Sequence, residues 1–252
     1  MKNSFYTKAA TGALGIMMMA APLATFAATT TPAAKGGAGA NFCTNIDAIG
    51  AKIIAGIDTK TGTIDSKKAT RMAKLSESRQ KRDESLSTKR AERDTALGTH
   101  YTALMKKADT DAKKAAVTTF KTTTDAALKA RRDAIDAAIS TYRTGIDALI
   151  SQKFGALDND RAALKSATDA ALTTAKSSCT AGTDSKTVYT TFKASIKTAR
   201  DAYKSSHTQT KISDDIKALG TARKASVDAA IAKFKADMNT ARTTLKAALG
   251  SK

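Results

Sequence analysis

The sequence predicts an all-α, elongated fold: an antiparallel helical hairpin of coiled-coil type with an 11-residue repeat, and two further C-terminal helices forming a three- or four-helix bundle at its base. Three observations carry this. Only two prolines occur in 252 residues, both before residue 33, so an Ala-, Lys-, Asp- and Thr-rich chain is free to be helical almost throughout. Aspartates recur every eleven residues at Asp125, Asp136, Asp147, Asp158 and Asp169, and three of them open the phrase Asp-Ala-Ala-Leu or Asp-Ala-Ala-Ile. The only two cysteines, Cys43 and Cys179, fall at the two ends that such a hairpin would bring together.

Residues 1–27 read as a secretory signal. Lys2 and Lys8 give a basic start, Ala9 to Ala21 a short apolar core, and Pro22 with Thr25-Phe26-Ala27 a cleavage site. The apolar core is too short to span a bilayer comfortably. Residues 28–41, rich in Thr, Pro and Gly without periodicity, read as a flexible linker. The chain is therefore expected to be exported, to a periplasmic, cell-surface or extracellular location.

The outgoing helix is placed at 42–108. Phe42, Ile46, Ile49, Ile53, Ile57, Ile64, Leu75, Leu86, Leu97 and Leu104 fall on a stripe in steps of three and four. The returning helix, 109–179, carries a stripe from Val117 through Leu128, Ile135, Ile139, Ile146, Leu157 and Leu164 to Cys179, with Thr124, Arg131, Lys153, Arg161 and Thr168 as its polar members. Eleven residues in three turns keeps such a stripe on one face of a nearly straight helix. The stripe is narrow, which suits one partner helix. Asp109-Thr110-Asp111 supplies N-cap residues for a tight turn between the two helices, the alternative being one uninterrupted helix.

Folded back at that turn, the stripes match: Ile46 meets Ala175, Ile57 Leu164, Leu75 Ile146, Leu86 Ile135 and Leu104 Val117. A repeat of eleven leaves registers eleven residues apart equivalent. Cys43 and Cys179 lift that degeneracy, because they face each other in this register only, and in an exported chain they read as a disulfide. Closing so long a loop contributes roughly 4 to 5 kcal/mol in the chain-entropy model.

Arg71, Arg79, Arg82, Arg90 and Arg93 form a stripe of their own on the outgoing helix. One reading is a phosphate-binding ladder. The other, which the five acids interspersed among eight basic residues from Arg71 to Asp94 favour, is a solvated face stitched at i, i+4 by Glu77 with Lys81, Arg79 with Asp83 and Arg90 with Asp94. The Asp row of the returning helix is expected to flank the seam and pair with the partner helix.

A turn at Thr180 to Ser185 precedes a helix at 186–207, with Asp184 or Ser185 as cap. Its stripe is Val188, Phe192, Ile196, Ala199 and Tyr203, beside a basic run of Lys186, Lys193, Lys197, Arg200, Lys204 and Lys211. Ser213-Asp214-Asp215 offers a serine or aspartate cap for a last helix at 213–249, stopped by Gly250. Its phrase from Arg223 to Phe234 resembles that from Arg131 to Tyr142.

The formal charge is +19, and removing Lys2 and Lys8 leaves 40 basic against 23 acidic residues, a mature charge near +17. Such a balance points to an anionic partner, whether nucleic acid, anionic lipid or cell-wall polymer. Enzyme chemistry is not indicated: the two histidines, His100 and His207, stand far apart, and no phosphate loop, nucleophile elbow or metal-ligand spacing occurs. No cofactor or metal is implied. The composition and 11-residue period resemble desiccation-protectant repeat proteins, which are disordered when hydrated; the regular Ile, Leu and Phe seam and the two cysteines argue for a folded chain instead. The resulting expectation is a non-enzymatic exported stalk or spacer acting on a protein or polymer partner. The alternatives are sequence-independent binding of an anionic polymer through a basic helical face and, third, association of residues 186–204 with a membrane surface.

Overall fold

A computed structural model describes residues 39–209 and 212–250. The expected signal segment, the linker up to residue 38, and Lys211 lie outside the described residues. Four helices make up the rest: α1 (Phe42–Lys107), α2 (Asp111–Thr180), α3 (Ser185–Gln209) and α4 (Ser213–Leu249), each within two residues of its expected bounds. The chain turns at residues 108–110, so α1 and α2 are separate helices. Thr110 is the N-cap of α2, its Oγ1 accepting from the Lys113 amide at 3.3 Å.

α1 and α2 run antiparallel in the expected register. At the open end Cys43 and Cys179 are joined by a disulfide, with Cα atoms 5.5 Å apart. Close by, a Cβ on Gly50 would meet Leu172 at 2.9 Å, and at the closed end the Tyr101 ring stands edge-on to Phe120 at 6.0 Å. Asn41, the N-cap of α1, makes no side-chain cap bond. Ser185 of α3 substitutes for it, its Oγ accepting from the Cys43 amide at 3.2 Å while donating to the Gly39 carbonyl at 2.7 Å. Gly39 makes this approach with φ +104°, where a Cβ would press on Tyr189 at 3.0 Å.

Of the two C-terminal helices, α4 differs from expectation in where it lies. α3 thickens the open end as anticipated, but α4 continues to the closed end. Followed backward along α2, Asp160 meets Ser206, Gly145 meets Leu219, Tyr142 meets Arg223 and Arg131 meets Phe234. That is one antiparallel register maintained across the α3–α4 break, so the two helices together line α2 along its length. The physical reason is that the α2 stripe has more apolar width than α1 alone covers. The cap of α4 also differs: Ile212, buried at 8% exposure, takes the N-cap position with no side-chain bond, and Ser213 is the first helical residue. Burying Ile212 displaces the polar cap by one residue, while Asp214 and Asp215 still face the positive end of the helix dipole. Gly250 closes α4 at φ +67°.

Two apolar clusters stand at the two ends, while α2 also buries Leu128, Ile146, Leu157 and Leu164 between them. Phe42 and Ile46 of α1, Leu172 and Ala175 of α2, and Val188, Phe192 and Ile196 of α3 form one core at the open end. Tyr101, Val117, Phe120, Met238, Ala241 and Leu245 form the other at the closed end. Between Ile57 and Tyr101 no residue of α1 is buried, and the α1 and α4 backbones stay more than 8 Å apart among the described residues.

Candidate functional site

The middle of the α1–α2 seam is the most chemically distinctive part of the molecule. Arg79 donates through Nη1 and Nη2 to Asp147 at 2.9 and 2.8 Å, and eleven residues on Arg90 does the same to Asp136 at 2.9 and 2.6 Å. The reverse polarity alternates with it: Arg143 forks onto Asp83 at 2.8 and 2.6 Å, and Arg132 forks onto Asp94. The result is a ladder of bidentate pairs, charge-assisted and geometrically specific. Arg79 and Arg90 thus do not pair with Asp83 and Asp94 at i, i+4 as expected; both local carboxylates instead accept from α2. A guanidinium on a seam-flanking position reaches a carboxylate on the facing helix in a planar fork. Glu77 and Lys81 do pair within α1, at 2.5 Å. The expectation that the Asp row flanks the seam holds for Asp136, Asp147 and Asp158, the last facing Lys68 at 3.8 Å, whereas Asp125 is bound by Lys121 of its own helix.

Asp83 and Asp94 are held below the ordinary carboxylate range chiefly by the hydrogen bonds from Arg143 and Arg132. Two shallow grooves open beside it, one lined by Arg79, Asp83, Leu86, Arg90, Asp136, Ile139, Arg143 and Asp147, the other by the equivalents eleven residues along. Their acids are paired with cations, most of them across the seam, which suits them to aligning helices rather than to proton transfer. At one stripe position the seam carries a buried cation. Arg161, 7% exposed, is partnered by Asp158, by Asp65 at 3.0 Å and by the Leu157 carbonyl at 3.2 Å.

The remaining arginines of the predicted α1 stripe do something else. Arg71 and Arg93 are exposed and Arg82 half-buried, and none is in an ion pair among the described residues. At eleven residues per three turns, Lys60, Lys67, Arg71, Lys74, Arg82, Lys89 and Arg93 fall within an arc of roughly 65° that contains no acid. Of the acids of this stretch, Asp65, Asp83 and Asp94 lie on the ladder flank, whereas Glu77, Glu84 and Glu92 lie on the exposed back of the helix. In α3, Val188, Phe192, Ile196 and Ala199 are buried in the bundle, so the apolar face on which the membrane-surface expectation rested is occupied by protein. Lys186, Lys193 and Lys204 are exposed without an ion pair among the described residues, Lys197 holds Asp201, and Arg200 is half-buried.

One feature was within reach of the sequence and was not read from it. The similar phrases 131–142 and 223–234 lie against each other antiparallel, so that the Arg131 guanidinium covers the Phe234 ring at 4.2 Å and Arg223 covers Tyr142 at 4.4 Å. Each phrase supplies the cation for the other's ring.

Among the described residues no cluster of His, Cys, Asp or Glu could hold a metal ion, and no helix is long and apolar enough to cross a membrane. Set beside known proteins, the chain matches no family model, no curated protein and no solved structure.

Proposed function

We propose that the protein is an exported, non-enzymatic spacer: a straight helical rod that holds something at a fixed distance in the cell envelope or outside the cell. The observation that carries this reading is the antiparallel register maintained along α2, whose 70 residues span roughly 105 Å. The disulfide and core at one end and the core at the other hold α1 against it, and the ladder keeps the middle aligned. Carboxylates in the grooves are committed to arginines and lysines, which argues against acid-base work. Small-angle scattering from the mature chain is the test. A rod close to 105 Å in length supports the proposal; a compact particle, or a rod near twice that length, contradicts it. Cell fractionation tests export separately.

A second reading, binding of an anionic polymer, is favoured by the exposed lysines of α3, Lys186, Lys193 and Lys204. Retention of duplex DNA that falls steeply with added salt, and that is lost in a triple Lys→Glu variant of these positions, would support it.

A further inference from the structure

We infer that one face of α1 is a binding track for a single strand of an unbranched phosphodiester polymer, a cell-wall polyol phosphate. Lys67, Arg71, Lys74, Arg82, Lys89 and Arg93 follow one another in steps of three and four residues once Ser78 and Ser85 are counted between them. Every position of that row from 67 to 93 is therefore a cation or a serine. Eleven residues in three turns keep the row straight along the helix, over roughly 39 Å. All of its members are exposed except Arg82, which is half-buried.

The acids of the same stretch are engaged elsewhere. Asp83 accepts from Arg143 of α2, Glu77 from Lys81 at 2.5 Å and Glu84 from Gln80 at 2.9 Å, which leaves Glu92 beside the cations of the row. Arg79 and Arg90, on the α2 side, are committed to Asp147 and Asp136. The row is thus the part of α1 whose charge the rod itself does not answer.

Shape and side-chain type select the occupant. An arc of about 65° on a cylinder about 11 Å across is a strip roughly 6 Å wide. One polymer strand can follow such a strip along its length, whereas a duplex, with its backbones about 12 Å apart across the major groove, meets it only where a backbone crosses. No aromatic side chain stands in the row for bases to stack on, and no apolar one to enter a lipid layer. What the row offers is guanidinium forks, ammonium groups and serine hydroxyls, all donors to phosphate oxygens. Its cations average one per roughly 8 Å, less than half the density of phosphates along one strand of a duplex, about one per 3.4 Å. Phosphates spaced by polyol units match the wider interval. This choice of occupant rests on the export part of the proposed function, which is where such a polymer is met.

The probe is a synthetic poly(glycerol phosphate) long enough to span the row, titrated by fluorescence anisotropy against the mature protein from low to physiological salt. Saturable binding is expected. The combined Arg71→Gln, Lys89→Gln and Arg93→Gln substitutions should weaken it about tenfold or more and reduce the salt slope by roughly two, at about 0.7 per phosphate contact on a single strand. The combined Lys186→Gln, Lys193→Gln and Lys204→Gln substitutions remove the same charge from α3 and should leave both quantities unchanged. Unchanged helical melting checks the fold of each variant. The proposal is overturned if the polymer does not bind, or if the two variants weaken it equally, which would make net charge rather than the row the cause. It is also overturned if oligothymidylate, duplex DNA or inorganic polyphosphate of equal charge binds as tightly through the same three residues. None of these failures touches the scattering length or the cell fractionation, and hence the spacer reading.

Discussion

α2 joins its neighbours through two seams of opposite character. Against α4 it presents small residues and close approach: Gly145 leaves only 2.8 Å between a would-be Cβ and the Leu219 methyls, and Ala127 and Ala138 are buried. Against the middle of α1 it presents Arg132, Asp136, Arg143 and Asp147, and the facing helix buries nothing from residue 58 to 100. Small side chains let backbones approach and exclude water, whereas forked Arg–Asp pairs span a wider gap and stay partly wet. Burial of a large aliphatic side chain is worth a few kcal/mol, while an exposed ion pair is worth about 0 to 1. One seam therefore supplies stability, and the other mainly supplies alignment.

The largest effect expected is at the staple that ends the ionic seam. Reducing Cys43–Cys179 should cost about 4 kcal/mol in the chain-entropy picture, seen as a lower melting temperature by circular dichroism under reducing conditions. An unchanged melt would mean that the ladder and the end cores hold α1 unaided.

Next comes a pair of truncations. Leu219→Ala, packed over Gly145 in the α4 seam, should cost about 2 to 3 kcal/mol, and Leu86→Ala, half-buried in the ionic seam, about 1. Equal losses in denaturant melts would erase the distinction between the seams. Two glycines of α2 offer a sign change. Gly145→Val should overpack the α4 seam at a cost of about 2 kcal/mol. Gly155→Ala, with nothing within 4 Å, should stabilise the helix by about 0.5 to 1 kcal/mol.

The smallest effect is electrostatic. Because Asp83 and Asp94 have depressed values in the folded chain, their contribution is complete above the ordinary carboxylate range and is lost as the pH falls through those depressed values. Both carboxylates are about half exposed, at 51% and 49%, so solvent and salt screen the gain. The double variant Asp83→Asn, Asp94→Asn should flatten the acid limb of the pH–stability curve without moving its neutral plateau far. An acid limb identical to that of the parent would remove the ladder from the pH dependence.

The helices, their bounds and the disulfide were legible because each has a local or arithmetic signature: the 11-residue stripe, the caps at Thr110 and Gly250, and two cysteines in register. The partners of Arg79 and Arg90 were not. Each has an aspartate four residues on in its own helix and another across the seam, and an 11-residue repeat offers both at once. Only the fork geometry between helices decides. The course of α4 was hidden for a related reason, since its stripe has the same period as the others. The likeness of 131–142 to 223–234 did hold the answer, because the arginine of each phrase stands over the aromatic ring of the other. The cationic arc of α1 became visible only once Arg79 and Arg90 were separated from Arg71, Arg82 and Arg93.

Hydrogen exchange read by mass spectrometry, at low and at high salt, tests the contrast between the seams most directly. Amides of α1 between residues 58 and 97 should exchange faster than those of α2 and α4 between 117 and 150 and between 219 and 245, and the gap should widen as salt screens the ladder. Equal protection in both stretches, indifferent to salt, would contradict a rod whose middle is held on one side by packing and on the other by charge.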